Sequence, residues 1–372
     1  MIYFDHNATT PVLPEARDAW LMAVDRFVGN PSSPHRLGAR ADKALMEARE
    51  QLADLLGCHA LDIVWTSGAT ESNNMTLAHL ARELSDDAEV WVSAIEHPCL
   101  VEATRLHFPD RHRVIPALPD GGADVGWLEQ ELSAARPAAI ALMAANNETG
   151  VLQPWREVRD LCRDRGIPFI CDAAQWIGKL PATGFGDCDF VSGCAHKFGG
   201  PKGAGFLKVP AQGRFHASTV GGRQEEGRRA GTENVPGVLS MMAALAKRAG
   251  QLADGVDVRH RLRSGFEARL LEALPGSEIV GAGSERLWNT VSALMPEGDC
   301  RQRWVVKLDK AGHAVSTGSA CASGKEEASH VLTAMGLDEA QASRALRFSS
   351  GWETGEEDWD ALLRALVETA EI

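Results

Sequence analysis

Asp189-Phe190-Val191-Ser192-Gly193-Cys194-Ala195-His196-Lys197-Phe198-Gly199-Gly200-Pro201-Lys202-Gly203 runs from a short apolar strand into small residues. It then presents a His-Lys pair and leaves through a Gly/Pro-rich turn. A lysine at the exit of a buried strand is desolvated enough to hold its amine partly neutral and nucleophilic. Upstream, Phe169-Ile170-Cys171-Asp172-Ala173-Ala174-Gln175 is a second apolar strand that ends in a carboxylate. An amine for a Schiff base and an acid for a pyridinium nitrogen are the two groups that a pyridoxal-phosphate site requires. Taken singly, Lys197 reads equally as a surface lysine and Asp172 as a helix cap. Together they point to an enzyme.

Working outward, apolar runs of strand length alternate with amphipathic helix-length segments from about residue 60 to 240. Asp62-Ile63-Val64-Trp65-Thr66, Glu89-Val90-Trp91-Val92-Ser93 and Ala138-Ala139-Ile140-Ala141-Leu142-Met143 are such runs, and residues 152–165 are a helix candidate between them. The alternation predicts an α/β fold whose large domain, residues 15–250, is built on a mostly parallel sheet with helices on both faces. Ligands of such sheets sit outside the carboxyl ends of the strands. The polar clusters Ser67-Gly68-Ala69-Thr70-Glu71, Glu96-His97, Asn146-Asn147-Glu148, Asp172 to Gln175 and His196-Lys197 fall there. After about residue 250 the character changes to a charged helix over 256–274, an apolar stretch Trp288-Asn289-Thr290-Val291-Ser292-Ala293-Leu294 and a closing helix over 356–372. Residues 1–14 and 251–372 are read as a smaller α+β domain.

A chain of 372 residues that is 44% hydrophobic supports two such cores. Its net charge of −13 argues against nucleic acid or an anionic membrane as partner. The opening Met1-Ile2-Tyr3-Phe4-Asp5-His6-Asn7 lacks the basic and apolar regions of a signal peptide, so a soluble cytoplasmic protein is expected. The eight cysteines form no C-x-x-C pair, so neither a metal finger nor a disulfide framework is expected. Most should be buried, inert thiols. Cys321 differs, because Ser316-Thr317-Gly318-Ser319-Ala320-Cys321-Ala322-Ser323-Gly324 surrounds it with small residues that suit an exposed, reactive thiol.

Thr66-Ser67-Gly68-Ala69-Thr70-Glu71 leaves a strand and opens a helix with hydroxyls, the way backbone N–H groups are offered to a phosphate. Read alone it is also an ordinary helix cap. His97, before Pro98, is read either as a core histidine or as a ring stacked on a cofactor. The set as a whole resembles the cysteine desulfurases of the NifS/IscS type, within the class-V aminotransferase group of fold-type I pyridoxal-phosphate enzymes. The matching pieces begin with Tyr3-Phe4-Asp5-His6-Asn7-Ala8-Thr9-Thr10-Pro11, Asn30-Pro31-Ser32-Ser33 and Gly68-Ala69-Thr70-Glu71-Ser72-Asn73-Asn74. Glu96-His97-Pro98, Asn146-Asn147-Glu148-Thr149-Gly150, Asp172-Ala173-Ala174-Gln175 and His196-Lys197 follow. Gly231-Thr232-Glu233-Asn234, Gly318-Ser319-Ala320-Cys321 and Leu346-Arg347-Phe348-Ser349 complete the series, in family order over nearly the whole chain.

The resemblance implies a role for each matched residue. Lys197 carries pyridoxal 5'-phosphate, Asp172 faces the pyridine nitrogen, Gln175 contacts the ring hydroxyl, and His97 stacks on the ring and moves protons. Ala69, Thr70, Cys194 and His196 hold the phosphate, helped by Thr232 from the second subunit of a homodimer. Asn147 and Arg347 hold the carboxylate of L-cysteine, a task suited to guanidinium geometry. Cys321 is the nucleophile that takes the substrate sulfur and hands it to an acceptor protein, an iron–sulfur scaffold or a sulfur carrier. No metal is implied.

One position departs from the family pattern: Cys194 stands where a serine usually binds phosphate, and a thiol is a much weaker donor. Ser192 is a candidate to compensate. Selenocysteine lyase, cysteine β-lyase and desulfurases that serve tRNA thiolation or DNA phosphorothioation are alternatives within the enzymes. A non-catalytic scaffold is the alternative outside them, and intact Lys197, Asp172, Arg347 and Cys321 argue against it.

Overall fold

The structure, a computed structural model, describes residues 1–210, 213–297, 301–317 and 328–370. Its strands in chain order begin with β1 (Ile2–Tyr3), which stands apart from the main sheet. Among the described residues, seven strands build that sheet: β2 (Ile63–Thr66), β3 (Val90–Ser93), β4 (His112–Ile115), β5 (Ala139–Ala141), β6 (Phe169–Asp172), β7 (Phe190–Cys194) and β8 (Gly205–Lys208). Their order across the sheet is β2-β8-β7-β6-β5-β3-β4. All pairings are parallel except those of β8, which runs against both its neighbours. Every strand but the edge strand β4 is buried on both faces, which is why these segments read as unbroken apolar runs. Alternate residues serve alternate cores: Ile63 and Trp65 pack on one face with Phe169, while Val64 packs on the other with Ile170 and Leu207.

A second sheet follows, made of β9 (Glu278–Ile279), β10 (Thr290–Leu294) and, after the short β11 (His313–Ala314), β12 (Ala345–Ser349). Its order is β12-β10-β9, all antiparallel, while β11 pairs with β1 in parallel. Phe4, Val291, Phe348, Trp304, Trp359 and Leu366 share its core. Losing a core aromatic such as Trp359, 2% exposed, costs about 3–5 kcal/mol.

One helix, Val235–Ala273, joins the two cores. Val238, Met241 and Leu245 pack into the large core, and Phe266 and Leu270 into the small one. The boundary placed at 250/251 from composition therefore falls inside a continuous helix, between its two packed ends. We propose that the chain comprises these two domains, with the N-terminal arm belonging to the smaller. Helix 152–165 begins at Trp155, and the closing helix is Glu356–Ala370. Among the described residues, no helix is long and apolar enough to cross a membrane.

The arm crosses from one domain to the other. Phe4 donates its N–H to Ala314 and accepts from Ser349, His6 donates to Ser349, and then Thr10 donates to His196 and Leu13 to Gly199. Asn7, Ala8 and Thr9 are thus laid along the segment that carries Lys197.

Candidate active site

A cavity of about 500 Å³ opens at the carboxyl edge of the parallel strands, within the usual range for a small-molecule site. The turns that leave β2, β3, β5, β6 and β7 supply its walls, with Lys202 and Gly203 before the antiparallel β8. Ala69, Thr70, His97, Asn147, Asp172, Gln175, Cys194, His196, Lys197 and Arg347 all line it. Thr232 is exposed and lies outside the cavity of its own chain. Cys321 lies outside the described residues.

Lys197 follows β7 in a single helical turn. Its Nζ donates to the carbonyls of Asn7 at 2.6 Å and Ala8 at 3.0 Å. Burial pulls its amine below the ordinary lysine range, and the nearby Cys194 and Asp172 pull the other way. Two neutral acceptors, and among the described residues no carboxylate partner, make it easier for this amine to lose its proton. Asp172, 5% exposed, ends β6. Its Oδ2 accepts from Asn73 at 2.8 Å and its Oδ1 from the Ala174 N–H at 2.9 Å. A carboxylate offers about four lone-pair sites, so room remains for an N–H from the cavity.

His97 Nδ1 accepts from the Cys99 N–H at 3.1 Å and so caps the helix Pro98–His107. The neutral ring then carries its proton on Nε2. Burial, then the charges of Lys197 and His330, hold the ring below the ordinary histidine range against the pull of Asp172. Beside it Glu96 is fully buried, with Oε1 accepting from the Met143 N–H and Oε2 unpartnered. Burial and the Asp172 charge raise its carboxyl well above the usual range.

The helix Ala69–Glu83 points its N-terminus at the same cavity and has no side-chain cap. Its free first-turn N–H groups suit an anion. Gly205 makes this approach possible: a Cβ there would sit 2.5 Å from the Gly68 Cα. Cys194 lines the cavity beside this N-terminus, and its thiol is pushed up to about 11 by burial. Ser192, two residues deeper in β7, is 2% exposed and does not line the cavity. It makes no compensating contact. Cys194→Ser supplies a stronger donor, and the apoprotein should then bind pyridoxal phosphate about 3- to 10-fold more tightly in equilibrium dialysis. Unchanged or weaker binding would show that the thiol is not part of the cradle.

Arg347, 1% exposed, sits on β12. Its Nη2 meets Asp5 Oδ1 at 2.7 Å and its Nη1 donates to the Asn147 carbonyl at 3.0 Å. Asn7 knits these parts together: its side chain donates to the Asn147 carbonyl and Thr290 Oγ1, and its carbonyl accepts from Gln175 and Lys197. Asn7, Asp5, Glu96 and Lys179 were given no role in the sequence reading. Asn7 stood in a quoted motif, and Lys179 interrupts the otherwise apolar Trp176-Ile177-Gly178-Lys179-Leu180, which is the signal that marks it.

Burial holds His196 down to about 4, reinforced by the Lys197 and Lys202 charges, and burial does the same to His6. An unfolded histidine titrates near 6.5, so between these values the unfolded chain binds more protons. Stability is then fully present above about 6.5 and is lost as pH falls towards 4. Calorimetry of the apoprotein should show the melting temperature falling between pH 6.5 and 5, above the carboxylate range. A flat profile there would contradict the burial of these rings.

The class-V aminotransferase family model matches residues 2–362. A cysteine desulfurase of Cereibacter sphaeroides is 38% identical over 98% of this chain and 94% of its own length. The X-ray structure of a NifS-like protein from Rickettsia africae superposes with a TM-score of 0.89 at 29% identity, covering all of both chains. That of SspA in complex with cysteine superposes at 0.81 and 28% identity, over 94% of this chain and 98% of that one. The donor set fits pyridoxal phosphate: a buried amine, a carboxylate with spare lone pairs and an uncapped helix N-terminus share one cavity. This chain belongs to the class-V aminotransferase family, whose cofactor is pyridoxal phosphate.

Proposed function

We propose that this protein is a cysteine desulfurase that converts L-cysteine to L-alanine and passes the sulfur through Cys321 to an acceptor protein. One observation carries the reading. The described residues on both sides of Cys321 are anchored at the cavity wall. Ser316 exchanges backbone hydrogen bonds with the cavity-lining Arg347, and His330 lines the cavity with its Nε2 2.9 Å from the Glu96 carbonyl. Cys321 follows Ser316 by five positions in the sequence, a length of chain that spans at most about 18 Å. That short tether supports Cys321 as the nucleophile.

Bound in this cavity, pyridoxal phosphate supplies an electron sink that weakens the bonds at the substrate's α-carbon. Lys197 would hold the cofactor, and its Nζ is the group placed to take and return the α-proton. Asp172 faces the pyridine nitrogen, with its carboxylate fixed by Asn73 and Ala174. Gln175 would hydrogen-bond the ring hydroxyl, and His97 would stack on the ring. Ala69, Thr70, Cys194 and His196 cradle the phosphate. Asn147 and Arg347 take the substrate carboxylate, with Asp5 aligning the guanidinium. The Cys321 thiolate attacks the substrate sulfur, so the carbon–sulfur bond breaks as a persulfide forms on the protein. Two copies form the working unit, with the exposed Thr232 of each reaching the partner's phosphate.

The direct test adds L-cysteine to the loaded protein and measures products. Alanine should appear with one sulfide released per turnover under reducing conditions. Pyruvate and ammonia in place of alanine would mean β-lyase chemistry. Arg347→Lys loses the bidentate fork and should cost roughly 2 kcal/mol or more of substrate recognition. That cost should be read as a raised KM with cofactor absorbance almost unchanged. An unaltered KM would leave Arg347 a purely structural partner of Asp5.

A further inference from the structure

Lys179 is a lysine that the proposed chemistry does not use. It is 3% exposed and lies beneath the cavity rather than on its wall. The turn after β6 carries it there, with Gly178 at φ +80° packed so closely on Phe198 that a Cβ would lie 2.3 Å from that side chain. The Trp288 indole N–H donates to the Lys179 carbonyl at 2.9 Å and pins the turn from the small domain. Its Nζ donates to Asn7 Oδ1 at 2.8 Å and to Gln175 Oε1 at 2.5 Å. Among the described residues no carboxylate pairs with it. Burial, then the charges of Lys197 and Arg347, hold its amine well below the ordinary lysine range. Asn7 and Gln175 supply two side-chain acceptors to this amine.

That arrangement decides which way two amides face. A lysine nitrogen next to an amide attracts the carbonyl end, so Gln175 turns its oxygen down and its NH2 up. One N–H of that group goes to the Asn7 carbonyl at 3.0 Å, the carbonyl that also receives Lys197 Nζ. The other is left for the cavity, which Gln175 lines. Asn7 is turned in the same way: its oxygen accepts from Lys179 and from Asn289 at 3.0 Å, and its NH2 goes to Asn147 and Thr290.

We propose that Lys179 is a positioning residue that sets the orientation of the Gln175 and Asn7 side-chain amides, and through Gln175 aims a hydrogen-bond donor at the ring hydroxyl of the cofactor. The inference rests on the proposed function, because it assigns Gln175 to that hydroxyl. A donated hydrogen bond favours the ionised form of a hydroxyl. Without Lys179 only the Asn7 carbonyl holds the Gln175 amide in this sense, so its oxygen turns to the cavity more readily and ionisation of the hydroxyl becomes harder.

The test is a pH titration of visible absorbance in the loaded protein, with dialysis of pyridoxal phosphate against the apoprotein. Lys179→Met keeps the apolar stem of the side chain and removes the donor. Its absorbance midpoint should rise by about one pH unit, and its cofactor dissociation constant by about 10-fold. Lys179→Gln keeps an NH2 group on a slightly shorter arm and should move both less. Whichever variant folds must show the upward shift. An unmoved midpoint with a lowered melting temperature assigns Lys179 to stability and overturns the proposal, as does failure of both variants to fold. If the unaltered protein itself gave no visible band, or no alanine from cysteine, the proposed function would fall instead.

Discussion

Lys197→Ala should lower alanine formation by on the order of a thousandfold or more, since one side chain both attaches the cofactor and moves the α-proton. The structure makes the assignment specific. Lys179 is a second buried amine close by, yet it sits below the cavity and is held by two side-chain acceptors. Lys202 lines the cavity but is exposed. Among the described residues only Lys197 combines a place on the wall, burial and backbone acceptors that hold it without neutralising a charge. Borohydride reduction of the loaded protein, followed by peptide mapping, should find the pyridoxyl group on Lys197. A pyridoxyl group on Lys179 or Lys202 would sink the assignment. The same variant should remain folded, because the two carbonyls it abandons face a cavity where water can replace the amine.

Cys321→Ser should be as damaging to sulfide production and almost silent in the cofactor spectrum. A serine hydroxyl is a far poorer nucleophile than a thiolate at neutral pH, so transfer of the substrate sulfur should stop. The cavity would keep every group that binds cofactor and substrate, so the spectral response to L-cysteine should survive. Mass spectrometry of the unaltered protein after exposure to L-cysteine should find one added sulfur on Cys321. The buried thiols make poor competitors: burial pushes Cys194 up to about 11 and Cys99 up to about 12. An added sulfur on either of these would show that the wrong nucleophile has been named. Full sulfide release by the Cys321→Ser protein would move the chemistry from desulfurase to direct β-lyase.

Much of this arrangement is legible in the chain, and the unread part has a physical pattern. Strands β3, β5 and β6 announce themselves because burial on both faces demands unbroken apolar runs. Polar residues directly after such runs have to lie at the carboxyl edge, which is why Asp172, His97 and Lys197 could be placed together from sequence. The reversed direction of β8 could not, because Gly205-Phe206-Leu207-Lys208 looks the same in either sense and only pairing with β2 and β7 decides it. Nor could the continuity of Val235–Ala273, whose charged middle resembles a linker while its two ends serve separate cores. The role of Asn7 was hidden for a related reason. Its partners lie at Asn147, Lys179, Asn289, Thr290 and Ser349, and nothing local marks a residue whose whole hydrogen-bonding capacity is met from so far away.

Those distances also set an order of events during synthesis. Residues 2–10 leave the ribosome long before β12, so the Asn7 N–H waits for the Ser349 hydroxyl, 342 residues later. At roughly 5–20 residues per second that is a delay on the order of tens of seconds. Throughout it the strands that carry Asp172 and Lys197 can already have paired, while the floor between them is missing. A chain interrupted before β12 would hold the lysine and the aspartate and still lack Arg347 and the partner that seats Asn7. Completion of the polypeptide is thereby coupled to competence of the site, and a truncated product is denied the chemistry of the whole.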